Sequence, residues 1–224
     1  MDKRYTEDYF AGQLSKSKVK IAWQYGRLLE YAGITAASHP RFLDAGCGAG
    51  PAIGFLQSKG FHVTGSDLIL YPLLEARKNS PTANLVNADL GNLLPFADTS
   101  FDVIMASEVI EHLSDAALFL AECNRVLTKN GCLILTTPNL WDLRLPWSKL
   151  TGKIWSGYQD PTHINLQNPR RLSNLVNKAG FRHVKWKTGI KPWWNRSIRK
   201  LNISLELPYP PFVGNGIMAV AYKA

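Results

Sequence analysis

One stretch, FLDAGCGAGPAIGFL over residues 42–56, constrains this chain more than any other. An apolar run enters three glycines at alternate positions, Gly46, Gly48 and Gly50, and apolar residues at helical spacing follow. Glycines so placed permit a tight turn and let a ligand approach the backbone at a helix N-terminus. A strand, loop and helix of this kind need further parallel strands beside them, and the flanking sequence supplies them. RFLDA (41–45), FHVTGSD (61–67), ANLVNAD (83–89), SFDVIMAS (100–107) and GCLILTTP (131–138) read as strands. The spacing predicts helices over PAIGFLQSK, with Pro51 in the first turn, over YPLLEARKN and over DAALFLAECNRVL, with Ser114 as N-cap. Strands alternating with helices of this length imply right-handed βαβ units and a mostly parallel sheet covered on both faces. An amphipathic helix over 16–32 precedes them. A helix over PRRLSNLVNKAGF, stopped by Gly180, and two late strands, RHVKWKTGI and GIMAVAYKA, follow them.

At 224 residues the chain suits one domain with a full core. Hydrophobic residues at 46% and charged residues at 19% are ordinary for a globular protein. No secretory signal and no membrane-spanning apolar run stand out, and the three cysteines have no metal-type spacing. The expectation is a cytoplasmic protein with reduced thiols, associated with a membrane if its partner is lipid-linked.

The net charge of +9 is unevenly spread. Residues 141–224 hold 14 of the 26 Lys/Arg and 3 of the 17 Asp/Glu, a balance of +11, with six of the seven tryptophans. The expected organisation is a helical extension (1–40), a cofactor-binding half (41–140) and a basic, Trp-rich lid with sheet completion (141–224). A basic aromatic segment points to an anionic, planar or membrane-bound partner. Its bland alternative is a solvated basic face. Residues 141–168 and 191–213 are expected to form a mobile basic lid.

The glycine spacing is G-x-G-x-G, not the G-x-G-x-x-G of a dinucleotide loop, because Pro51 occupies the last position. Asp67 ends the second strand, where a carboxylate accepts from ribose hydroxyls. Asp89 ends the third, where it can receive an adenine amino group. Each aspartate alone could be a turn residue, but both at successive strand ends beside the glycine loop point to a nucleoside ligand.

In LDAGCGAG, GSD, NADLGNLLPFADTSFDVIMASEVIEHL and NRVLTKNGCLILTTPN the chain resembles the class I S-adenosylmethionine-dependent methyltransferases. The resemblance is good over roughly 40–140 and extends into DPTHINLQNPRRLSNLVNKAGF. It implies a Rossmann-like three-layer α/β/α sandwich whose seven-stranded sheet has an antiparallel last strand, here GIMAVAYKA beside the fifth. It further implies S-adenosylmethionine as cofactor. Asp44 and the loop with Gly46, Cys47, Gly48 and Gly50 would hold its methionine part, Asp67 and Leu68 the ribose, Asp89 and Leu90 the adenine. Ser107 would lie near the methionyl end.

Two glutamates and a histidine follow the fourth strand in ASEVIEHLSD. If the segment turns helically, Glu108, Glu111 and His112 share a face. The trio resembles the Glu-x-x-Glu-His of ubiquinone-pathway O-methyltransferases and small-RNA 2′-O-methyltransferases. In the latter a further histidine completes a divalent metal site, and His163 of DPTHIN is the counterpart here. Glu108, Glu111, His112 and His163 would then hold Mn, Fe or Mg. Without metal, Glu108 would meet the cofactor's ammonium, and His112 or His163 would act as general base. The expected reaction is O-methylation of a small, sugar-linked or lipid-linked acceptor, with peripheral membrane contact. RNA ranks second, because DPTH carries only one histidine of the RNA enzymes' lid motif. A methyltransferase-like binding module without catalysis is the third alternative.

Overall fold

The computed structural model describes residues 18–189, 194–198, 203–207 and 212–224. In chain order the elements are α1 (Lys18–Ala32), β1 (Arg41–Ala45), α2 (Ile53–Ser58), β2 (His62–Asp67), α3 (Leu70–Asn79), β3 (Asn84–Asn87), β4 (Phe101–Ser107), a 3-10 turn (Ile110–His112) and α4 (Ala116–Val126). They continue with β5 (Leu127–Pro138), α5 (Arg144–Thr151), α6 (Ser156–Gln159), α7 (Pro169–Lys178), β6 (Phe181–Thr188), β7 (Trp194–Ile198), β8 (Ile203–Leu207) and β9 (Gly216–Lys223).

Seven strands form one sheet in the order β3-β2-β1-β4-β5-β9-β6. Strands β1 to β5 pair in parallel, whereas β9 runs antiparallel to both β5 and β6. The antiparallel strand is therefore the last in sequence and sits beside β5, as the resemblance implied. Its insertion puts Ile217 opposite Thr137 and Val220 opposite Ile134, so an eight-residue apolar strand is buried along most of its length. Strands β7 and β8 pair antiparallel in a separate two-stranded sheet.

Two apolar cores flank the sheet. One packs Leu43, Ile104, Phe119, Leu120, Leu133 and Leu172 under α4 and α7. The other packs Phe42, Ile53, Leu56, Val103, Ile134 and Val220 with Tyr25, Leu28 and Leu29 of α1. Alternate residues of β1 and β4 thus face opposite layers, which is why their sequences are continuous apolar runs. All three cysteines are free and buried. Among the described residues, no helix is long and apolar enough to cross a membrane.

Four local expectations need correction. Pro51 precedes α2, because the left-handed Gly50 (φ 71°) adds one turn before the helix begins at Ile53. Asp115, not Ser114, caps α4: its Oδ1 accepts from Leu118 N at 2.9 Å. Asp89 lies two residues beyond the end of β3. Residues 141–168, for which no helix was predicted, contain α5 and α6. Of the expected lid over 191–213, the described parts are β7, β8 and residues 212–213. Lys191, Trp193, Arg199 and Lys200 lie outside the described residues.

Candidate active site

The parallel strands deliver their carboxyl ends to one edge, and the chemistry-bearing residues gather there. Gly46 (φ 76°), Gly48 (φ 52°) and Gly50 (φ 71°) all adopt the left-handed conformation that other residues enter only at a cost. Space forbids a side chain as well. A Cβ on Gly46 would stand 2.4 Å from Val109 Cγ2, and one on Gly50 2.9 Å from Ala76 Cβ. The loop is fastened to β2, since Gly46 N and Cys47 N both donate to Ser66 O, at 2.8 and 2.9 Å.

Asp67 closes the ring of contacts. Its Oδ2 accepts from Gly48 N at 2.8 Å and its Oδ1 from Ile69 N at 3.0 Å. Each oxygen keeps a further lone pair for a ligand hydroxyl. Burial raises the Asp67 carboxyl above its usual range, opposed by those backbone donors. Asp44 is buried at the end of β1, and burial together with the Asp67 charge lifts its carboxyl to about 7. Asp89 is exposed and takes Gly91 N and Asn92 Nδ2, each at 2.8 Å, while Leu90 beside it is buried and Leu68 half exposed. Cys47 is buried beside Asp44 and Asp67, and burial first, then those charges, push its thiol up, so it is an inert wall.

The Glu-x-x-Glu-His trio does not share one face. Glu108 takes a left-handed conformation (φ 58°), which breaks the helical phase before the 3-10 turn starts. Its side chain turns to the β5 end, where Glu108 Oε1 accepts from Thr136 Oγ1 at 3.0 Å and Ser107 Oγ lies 2.9 Å from the same hydroxyl. Glu108 is therefore exposed at the cofactor edge. Glu111 is wholly buried, and His112 sits half-buried next to it.

His163 comes to His112 through a loop tied down at both ends. Leu140 N donates to Gln167 O at 2.8 Å, and Asn165 N donates to Glu111 O at 2.9 Å. The two imidazole rings meet edge to face with centroids 4.8 Å apart. One ligand atom from each of Glu111, His112 and His163 lies within 4.8 Å of the others. Glu108 is not part of that group, so the four-ligand expectation reduces to three.

Hydrogen bonds fix the histidine tautomers. His163 Nδ1 contacts only a carbonyl, Gly157 O at 2.7 Å, so it carries the proton and donates. Thr162 Oγ1 donates to Asp160 Oδ1 at 2.5 Å, so it accepts from His112 Nδ1 at 2.8 Å. His163 Nε2 lies 3.8 Å from Asp160 Oδ2. Burial first, then the Glu108 charge, push the Glu111 carboxyl well above its ordinary range. Among the described residues, neither Glu111 oxygen meets a hydrogen-bond partner at good geometry; the Thr137 hydroxyl lies near enough to lower the carboxyl slightly but is not aligned with it. The Asp160 carboxyl is held below its usual range: burial raises it, but the side-chain and backbone hydrogen bonds from Thr162, then the charges of His163 and His112, outweigh that.

Asp160, Thr162 and Gly157 were not singled out in the sequence, since nothing local marks a carbonyl or hydroxyl that orients a ring. Tyr25, within the helix predicted over 16–32, also reaches this edge. Its hydroxyl is buried near Asp44 and Glu108, and burial, then those charges, raise it.

A family profile described as a methyltransferase domain matches residues 43–135. A probable S-adenosylmethionine-dependent methyltransferase of Mycolicibacterium smegmatis is 33% identical over 139 residues, covering 62% of this chain and 51% of that protein. Residues 43–135 thus carry a methyltransferase domain, and the chain is similar to S-adenosylmethionine-dependent methyltransferases. A ubiquinone biosynthesis O-methyltransferase of Cereibacter sphaeroides is 28% identical over 191 residues, with 73% and 70% covered. The crystal structure of an S-adenosylmethionine-dependent methyltransferase from Archaeoglobus fulgidus shares the fold, with a TM-score of 0.69, 21% identity and coverage of 98% and 100%. The chain spans about half the length of the first curated relatives it matches. The family's cofactor is S-adenosylmethionine, and a carboxyl-edge site with a glycine loop and successive acids fits a molecule with a ribose and a cationic end.

Proposed function

We propose that this chain moves the methyl group of S-adenosylmethionine to a hydroxyl of a small, sugar-linked or lipid-linked acceptor. The cofactor supplies a methyl already activated on sulfur, so the protein's work is alignment and proton removal. When bound, the cofactor would give up its methyl to the acceptor oxygen with the carbon–sulfur pair leaving on sulfur, and an imidazole of this chain would take the hydroxyl proton. Asp44 and Asp67 lie where the cofactor's positive end and ribose would be held. The relative from Cereibacter sphaeroides, named for ubiquinone biosynthesis, supports an oxygen acceptor.

One observation supports the proton's destination: His112 and His163 meet edge to face with ring centroids 4.8 Å apart, beyond the end of β4. The test is turnover of labelled methyl donor over a panel of hydroxylated acceptors, with cofactor binding followed by calorimetry. His112→Gln should lower kcat about 10²–10⁴-fold, the usual range for a general base, and leave cofactor affinity intact. An unchanged kcat overturns the assignment. Failure of the wild-type protein to bind the cofactor would instead favour a binding module without catalysis.

A second reading is favoured by Glu111. A buried carboxylate with no well-aligned hydrogen-bond partner among the described residues, grouped with two imidazoles, suits a divalent cation of the Mn or Fe type. Such an ion would lower the pKa of a hydroxyl bound to it. Glu111, His112 and His163 would hold it, and their Nδ1 partners Thr162 and Gly157 would keep the rings aimed. Loss of activity on chelation, restored by Mn²⁺ and not in Glu111→Gln, is expected on this reading. Full activity after chelation leaves the histidines as bases alone.

A further inference from the structure

Helix α5 is amphipathic in the wrong sense for a protein that meets only water. Of its eight residues, only Ser148 is buried. Trp147 and Leu150 are exposed by 64% and 79%. Leu143, just before the helix, and Ile154, just after it, are exposed by 43% and 68%. Positions 143, 147 and 150 follow the spacing of one helical face, so these three form a stripe that points away from the core, and Ile154 adds an exposed apolar side chain just beyond the left-handed Gly152 (φ 68°) that ends the helix. Exposed apolar side chains gathered in one stripe mark a contact surface, whereas scattered ones need no explanation.

The stripe is held rigidly and edged with positive charge. Asp142 is buried and takes both Arg144, through Nη2 at 2.6 Å, and Trp155 Nε1 at 2.9 Å, which pins the chain before and after the helix. Lys149 and Lys153 are exposed beside the apolar residues, and residues 143–159 contain no Asp or Glu. The basic edge continues through Trp141, which lines a groove with Arg170, Arg171 and Lys178 and no acidic residue; its volume is about 450 Å³. Apolar residues with Trp on one face and Lys/Arg beside them describe a helix that lies in a bilayer interface. Tryptophan is at home at the headgroup level, and each nearby basic residue gains from anionic lipid. A second copy of this chain fits less well, because a two-fold contact through the stripe would bring Lys149 and Lys153 towards their own counterparts.

We infer that α5 docks on the surface of an anionic bilayer, inserting Leu143, Trp147, Leu150 and Ile154 while Lys149, Lys153 and the α7 groove meet the headgroups. The inference rests on the lipid-linked form of the proposed acceptor. The docked helix is separated from His163 by only the short segment holding α6, so an acceptor anchored in the bilayer would be presented beside the two imidazoles.

The test is sedimentation of the full chain with phosphatidylcholine vesicles, with and without phosphatidylglycerol. Binding is expected only to the anionic vesicles and should weaken with salt. Trp147→Ser combined with Leu150→Ser should weaken it tenfold or more, and Trp147→Phe should retain it. Cofactor affinity, read by calorimetry, should be the same in all three proteins, which shows that the variants fold. A wild-type chain that stays in the supernatant with anionic vesicles overturns the inference, as does a serine variant that binds equally well. A wild-type dimer that the serine variant turns into a monomer assigns the stripe to a second copy and also overturns it. Vesicle binding together with methylation of soluble acceptors alone would sink the lipid-linked reading of the acceptor and leave the docking surface standing.

Discussion

At Asp44, burial and the neighbouring Asp67 hold a carboxyl neutral up to about pH 7 in the folded protein. The unfolded chain ionises it near 4, so between those values the native state binds more protons, and this group's share of stability falls as pH rises towards 7. A cationic ligand at the same place favours the ionised form. Cofactor binding near pH 6 should therefore release about one proton, and affinity should grow as pH rises through 7. Calorimetry in two buffers of different ionisation enthalpy measures the release, and Asp44→Asn should abolish it. Equal heats in both buffers would remove Asp44 from the cofactor site. For Asp67, which would bond ribose as well as Gly48 and Ile69, replacement by Ala should cost about 1.5–3 kcal/mol of cofactor affinity. Unchanged affinity would contradict that placement. Gly46, Gly50, Asp44 and Asp67 were legible in the sequence because their positions at strand ends depend on local chain geometry. Glu108 was misread because a left-handed residue resets helical phase, and residue type did not announce it.

Elements were legible wherever burial imposed a period. The ends of β1 follow directly from RFLDA, since its apolar positions face both layers. Helix α4 was legible too, but its start fell one residue later than expected. Both Ser114 and Asp115 are good caps by residue type, and backbone geometry chose Asp115, whose carboxylate reaches Leu118 N. Asp115→Ala should cost about 0.5–2 kcal/mol in stability, whereas Ser114→Ala should be nearly neutral. Denaturant titration of the two variants checks this, and a larger loss for Ser114→Ala would refute the assignment. Helix α5 escaped notice for a different reason. Trp147 and Leu150 face outwards and its one buried residue is Ser148, so the core-facing signal that identifies a helix is largely inverted there. His163 was placed correctly beside the 3-10 turn only through the resemblance. The contacts that bring it there, Asn165 to Glu111 and Leu140 to Gln167, join residues 54 and 27 positions apart and have no local signature.

Across the whole molecule, the order of the sheet separates two electrostatic tasks. The half before residue 141 carries a balance of −2 and places Asp44 and Asp67 at the carboxyl edge of the sheet; the half after it carries +11 and supplies α5, α7, β6 and β9. The two tasks should respond differently to salt. Asp44 and Asp67 lie in a buried setting where ions in solution screen little, so cofactor affinity should change only slightly between low and high ionic strength. Lys149, Lys153, Arg170, Arg171 and Lys178 are exposed, and attraction acting through them fades beyond a screening length of about 8–10 Å at physiological ionic strength. An anionic acceptor should thus show a KM that rises with added sodium chloride while the cofactor KM holds. Measuring both constants across one salt series separates the halves. If the two rise together, the effect lies in folding or in the shared cleft and not in the basic half. If neither moves, the acceptor is not drawn in by charge, and the excess of lysine and arginine after residue 141 is a solvated face.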